Sequence, residues 1–141
     1  MKAILTSMIA AGLFVSGSAT ASEPAITMSA QAVIEMPAKA KKNNCTACHA
    51  VYKRLVGPAW LEVSKKYKGV SKFTYAGKEY PLQEGLMVKV SKGGAGSWGA
   101  MPMPANDAAG AKQADIKELV AFVIDLEKAE ADRLSAQKNK K

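Results

Sequence analysis

The clearest pattern in the chain lies toward its C-terminal end. Ile116, Leu119, Val120, Val123, Ile124 and Leu126 follow Asp115 at helical spacings and precede a polar end. Such a wide apolar stripe is the mark of a helix that buries one face. Leu82, Leu86 and Val90 fall at four-residue steps between Pro81 and Gly93-Gly94. Proline suits the first turn of a helix and paired glycines stop one, so a second helix is predicted there. Residues 60–68 read as a shorter helix ended by Gly69, with Leu61, Val63 and Tyr67 as its apolar contacts. Pro37 is placed to start another over residues 38–42. Residues 73–80 are rich in β-formers around Ala76-Gly77 and predict a small hairpin or an extended flap. No internal repeat is visible, and the polar, lysine-rich residues 133–141 are expected to fray.

The N-terminal stretch has a different character. Lys2 precedes an apolar run over residues 3–15, and Ala19-Thr20-Ala21 has the A-x-A form of a cleavage site. The run is short and interrupted by Thr6, Ser7 and Gly12, too weak for a stable membrane anchor. Neither cysteine lies near the cleavage site, which excludes lipoprotein anchoring. The expected organisation is a signal peptide over 1–21 cleaved after Ala21, an extension over 22–36, one domain over 37–132 and a basic polar tail over 133–141.

Length and charge narrow this further. A chain of 141 residues has room for one domain, and at 6% aromatic it is short of large core side chains. The formal charge of +8 points to acidic partners. Nucleic acid is excluded as a partner, because the chain reads as exported and carries no recognisable nucleic-acid-binding motif. The charge is uneven. Residues 39–92 hold twelve Lys and Arg against three Glu, whereas residues 107–132 hold three Lys against seven acids.

The candidate chemistry is concentrated in Cys45-Thr46-Ala47-Cys48-His49. This C-x-x-C-H spacing lets two thiols form thioethers to one edge of a haem and sets the next residue, a histidine, under the iron. Zinc normally takes four protein ligands, or three plus water, and the chain has only these two cysteines and this one histidine. A thioredoxin-type pair belongs in a strand–helix context that is missing here. A covalently held porphyrin would also give a small domain the apolar centre its composition lacks. Haem is attached covalently outside the bacterial cytoplasm, which makes the periplasm the expected location.

With His49 the only histidine, bis-histidine ligation within one chain is impossible, and the remaining soft candidates for a second axial ligand are the methionines. Met1 and Met8 leave with the signal peptide, Met28 and Met36 precede the motif, and Met87 sits in a predicted helix. Met101 and Met103 remain, each held stiffly before a proline in Gly99-Ala100-Met101-Pro102-Met103-Pro104. A thioether is a soft, neutral donor that favours Fe(II) and raises the reduction potential.

Four segments together carry a resemblance: Cys45-Thr46-Ala47-Cys48-His49, Val56-Gly57-Pro58-Ala59, Gly96-Ser97-Trp98-Gly99 and Pro102-Met103-Pro104-Ala105-Asn106. From about Pro37 to Leu126 the chain is similar to bacterial class I cytochromes c, more narrowly the small monohaem c551/c552 type. The resemblance implies an all-α fold of three to five helices packed around one covalently bound haem c. It selects Met103 as the iron ligand beside His49. It also implies that the Pro58 carbonyl accepts a hydrogen bond from the other ring nitrogen of His49. Trp98 is expected to donate to a haem propionate, and Asn106 to hydrogen-bond near the Met103 sulfur. Members often pair an aromatic of the first helix with one of the last; here Phe122 is present, but the first helix offers only alanines and lysines. Ala38 or Ala40 would instead allow close backbone approach. The segment 70–83 and both termini are longer than usual.

The implied function is electron transfer, one iron cycling between Fe(III) and Fe(II) with no bond chemistry on a substrate. The basic stretch around the haem motif would steer acidic redox partners, an effect that weakens with salt. A dedicated haem subunit of a periplasmic dehydrogenase, docked through residues 73–83, is the alternative. A haem enzyme or gas sensor would need an open coordination position, and no distal histidine exists to assist it.

Overall fold

The computed structural model describes residues 33–140, so Met1, Met8, Met28, the proposed signal peptide and residues 22–32 of the extension lie outside it. Among the described residues there are four helices: α1 Ala38–Lys42, α2 Trp60–Tyr67, α3 Leu82–Lys92 and α4 Gln113–Lys138. A 3-10 turn covers Cys45–Ala47. Two antiparallel hairpins complete the fold, β1 Lys72–Tyr75 with β2 Lys78–Pro81, and β3 Gly94–Gly96 with β4 Gly99–Met103. The helices follow the sequence pattern closely. The first hairpin turns at Ala76-Gly77, both at positive φ, as a two-residue type I′ turn requires.

Helix α4 is the spine. Its apolar stripe divides between two clusters, one with Ala40, Val51 and Trp60 around Leu119 and Leu126, the other with Phe73 and Leu86 around Ile116 and Val120. Ala40 is fully buried, so α1 does approach α4 through a small side chain. The aromatic that α1 lacks is supplied by α2: Trp60 meets Phe122 edge-on at 5.8 Å. Ser64 lets α2 and α4 pack closely, its hydroxyl donating to Ile124 O at 3.0 Å and accepting from the Glu127 N–H at 2.9 Å.

Two features differ from the sequence expectation. Residues 133–138 do not fray but continue α4. The carboxylate of Glu130 accepts from Arg133 and from the Tyr52 hydroxyl, which itself accepts from the Ile34 N–H, so this end of the helix is tied to residues far away in sequence. The Met-Pro segment is also more than an extended loop, because residues 99–103 pair as β4 with a glycine-rich strand.

The end of α1, just before the haem motif, is anchored by Asp115 at the start of α4. Its carboxylate accepts from Asn43 Nδ2 at 3.1 Å and Lys42 Nζ at 3.0 Å, with Lys39 Nζ at 3.4 Å. The Asn43 hydrogen bond first, then the lysines, hold the Asp115 carboxyl down at about 2 from an ordinary 3.8. A depressed carboxylate stabilises the fold above its unfolded-state pKa and loses that contribution as pH falls through the folded one. The unfolding midpoint should therefore drop as pH falls from 3.8 to about 2. Asp115→Asn should flatten this part of the profile in denaturant melts of the holoprotein; parallel profiles would refute the link.

Candidate haem site

Local chain geometry sets the motif. Asn44 takes the left-handed conformation at φ 58, which ends α1 sharply and lets the next residues turn. Asparagine tolerates this region better than most side chains. Cys45 O then accepts from the N–H groups of both Cys48 and His49, at 3.2 and 2.9 Å, holding the five residues as one turn. Both thiols are free and half-buried, and burial pushes the Cys45 thiol up from its usual pKa.

The loop that follows returns to the motif. Gly57 N–H donates to Cys48 O at 2.8 Å, and His49 Nδ1 lies 2.7 Å from the Pro58 carbonyl oxygen. A carbonyl can only accept, so Nδ1 carries the proton and Nε2 keeps its lone pair for a metal. Gly57 lies flat against the imidazole: a Cβ there would stand 2.4 Å from His49 Cε1. No local sequence pattern reveals this close approach. Gly57→Ala should displace the ring or the loop, costing about 1–3 kcal/mol as overpacking does. Denaturant unfolding and the haem spectrum of the variant check this; an unchanged midpoint and spectrum would show that the space is not needed.

The second donor segment lies in β4. Met103 is partly buried, whereas Met101 is 66% exposed. Trp98 has Lys66 Nζ 4.5 Å and Arg54 Cζ 5.6 Å from its ring centroid. Glu62 holds Arg54 in place by accepting from its Nε at 2.8 Å. Asn106 Nδ2 donates to Pro104 O at 3.0 Å and to Val90 O at 3.4 Å. It thus ties the segment after Met103 to α3.

These residues meet in one apolar cleft of about 300 Å³, lined by Cys45, Cys48, His49, Trp98, Met103 and Asn106 together with aliphatic side chains of α3 and α4. Among the described residues no group of three or more His, Cys, Asp or Glu is placed to hold a bare metal ion. Two free thiols on one turn and an imidazole with Nε2 available, all facing one apolar cleft, fit a covalently bound haem.

A helical frame around such a cleft defines a c-type haem protein. Residues 37–127 match the cytochrome c family, and the chain belongs to it. It is 41% identical over 87 residues to cytochrome c-551 of Allochromatium vinosum, spanning 62% of this chain and 81% of that one. Cytochrome c-552 of Hydrogenobacter thermophilus is 34% identical over 87 residues, 62% of this chain and 76% of that one. The solved cytochrome c552 of Nitrosomonas europaea is 35% identical with a TM-score of 0.51, covering 62% of this chain and 95% of that structure's. The chain is a class I monohaem cytochrome c that carries one haem c through Cys45 and Cys48, and it is an electron-transfer protein.

Proposed function

We propose that the chain is a periplasmic one-electron carrier in which His49 and Met103 are the axial ligands of the haem iron. The observation that carries this reading is the presence of His49 and Met103 in one apolar cleft with Cys45 and Cys48. The haem supplies a one-electron Fe(III)/Fe(II) couple. The chain's own contribution is positional. Pro58 fixes the His49 ring plane and strengthens its donor nitrogen. The Met103 thioether favours the ferrous state and raises the potential. Trp98, with Lys66 and Arg54 beside it, is suited to receive the haem's carboxylates, and Asn106 braces the backbone that follows Met103.

Export follows from the 1–21 signal peptide, with cleavage after Ala21; among the described residues no helix is long and apolar enough to cross a membrane. The partners are redox proteins with acidic docking surfaces, drawn by the lysines around the haem motif. Lys41, Lys42, Lys65 and Lys66 are all exposed, and Lys42 and Lys66 also donate to Asp115 and to Ser97 O. Absorption spectroscopy with a potentiometric titration tests the reading. The expected result is a low-spin reduced c-type spectrum, a ferric methionine–iron charge-transfer band and a single one-electron wave. A high-spin spectrum that shifts with carbon monoxide or cyanide under mild conditions would overturn it.

A further inference from the structure

The Met103 strand rests on weak local structure. Its partner β3 is Gly94-Ala95-Gly96, with an irregularity between Gly94 and Gly96. Glycines lose more conformational freedom on ordering than other residues, and an isolated two-stranded hairpin is marginal in water. Something outside the hairpin must hold it.

Two side chains from neighbouring elements meet the start of β3. The Tyr75 hydroxyl, at the end of β1, donates to Gly93 O at 3.3 Å. The Lys89 ammonium, in the last turn of α3, donates to Gly94 O. They converge: a Cβ placed on Gly94 would lie 3.5 Å from Lys89 Nζ and 4.0 Å from the Tyr75 hydroxyl oxygen. Gly93 and Gly94 follow the last residue of α3, and each of their carbonyls takes one of these donors where the chain passes from helix to strand.

Gly93-Gly94 in turn bears on the Met103 backbone. Gly93, at φ +73, is pressed against it so closely that a Cβ would stand 2.4 Å from Met103 O and 2.7 Å from Ala105 N. Gly94 is the register partner of Met103 in the hairpin. The longer segment that carries Tyr75 is itself anchored, with Phe73 buried beneath Gly85 and edge-on to Tyr67 at 5.7 Å. We infer that Tyr75 and Lys89 are positioning residues: they pin two successive glycine carbonyls and so hold Met103 in the cleft. This gives the longer first hairpin a role inside the protein. It rests on the reading of Met103 as the iron ligand.

The ferric holoprotein tests it through competition between Met103 and added imidazole. Tyr75→Phe keeps the ring and removes one donor; Lys89→Gln shortens and neutralises the other. Each variant should keep the methionine–iron band in the absence of imidazole. Each should bind imidazole about three- to tenfold more tightly than the parent, the worth of one hydrogen bond. The double variant should shift further, while Tyr80→Phe, on the neighbouring strand, should match the parent. Thermal melts accompany each titration, and an imidazole shift in a variant of unchanged melting temperature separates positioning from general stability. If the parent shows the band and the double variant binds imidazole within twofold of it, this inference fails alone. If the parent lacks the band, the ligand reading fails and this inference falls with it.

Discussion

Replacing both Cys45 and Cys48 by alanine is expected to abolish stable holoprotein. The thioethers are the only covalent tether, and without them the haem is held by axial bonds and apolar contact alone. The cleft it fills is lined by apolar side chains, among them Leu86, Trp60, Val120 and Val123. Fully covering an apolar side chain is worth about 1.5–3 kcal/mol, so several that lose the haem together would give up an amount comparable to the whole stability of a small domain, roughly 5–15 kcal/mol. Loss of the haem is therefore expected to dominate every other single change in the protein. The yield of haem-containing protein after export, with a thermal melt of whatever chain is recovered, measures this. A haem-free double variant that folds fully and melts at the parent's temperature would show that the cofactor is not structural.

Much of this centre could be read from the chain because it is local. Five adjacent residues define the haem attachment, and a single stripe from Ile116 to Leu126 defines the helix that backs it. What could not be read is non-local or depends on the absence of a side chain. Gly57 serves by leaving room for His49, which no spacing rule reports. Trp60 serves as the aromatic partner of Phe122, although it stands in α2 rather than α1. Residues 133–138 looked too polar to stay ordered, yet the Glu130 carboxylate joins Arg133 to Tyr52, 78 residues away from it. The β3–β4 pairing was hidden for a different reason. A strand of Gly-Ala-Gly carries no alternating pattern, and its order comes from neighbours such as Tyr75 and Lys89.

The choice between the two neighbouring methionines is where sequence and structure have to be combined. Strand periodicity does not decide it, because residues two apart on β4 share a face, and Met101 and Met103 both line the cleft. Burial separates them. Met101 is 66% exposed, whereas Met103 is partly covered, paired in register with Gly94 and followed by a backbone that Asn106 secures. A ligand must hold its sulfur against iron at little entropic cost, and the better-anchored residue meets that requirement. Met103→Ala is therefore expected to open the sixth coordination position, remove the ferric methionine–iron band, lower the potential and admit cyanide or imidazole readily. Met101→Leu should leave band and potential in place, costing less than about 1.5 kcal/mol as a near-volume-conserving swap. The pair of variants is decisive because each controls for the other: both alter a methionine before a proline in the same strand. Loss of the band in Met101→Leu with its retention in Met103→Ala would transfer the ligand role to Met101.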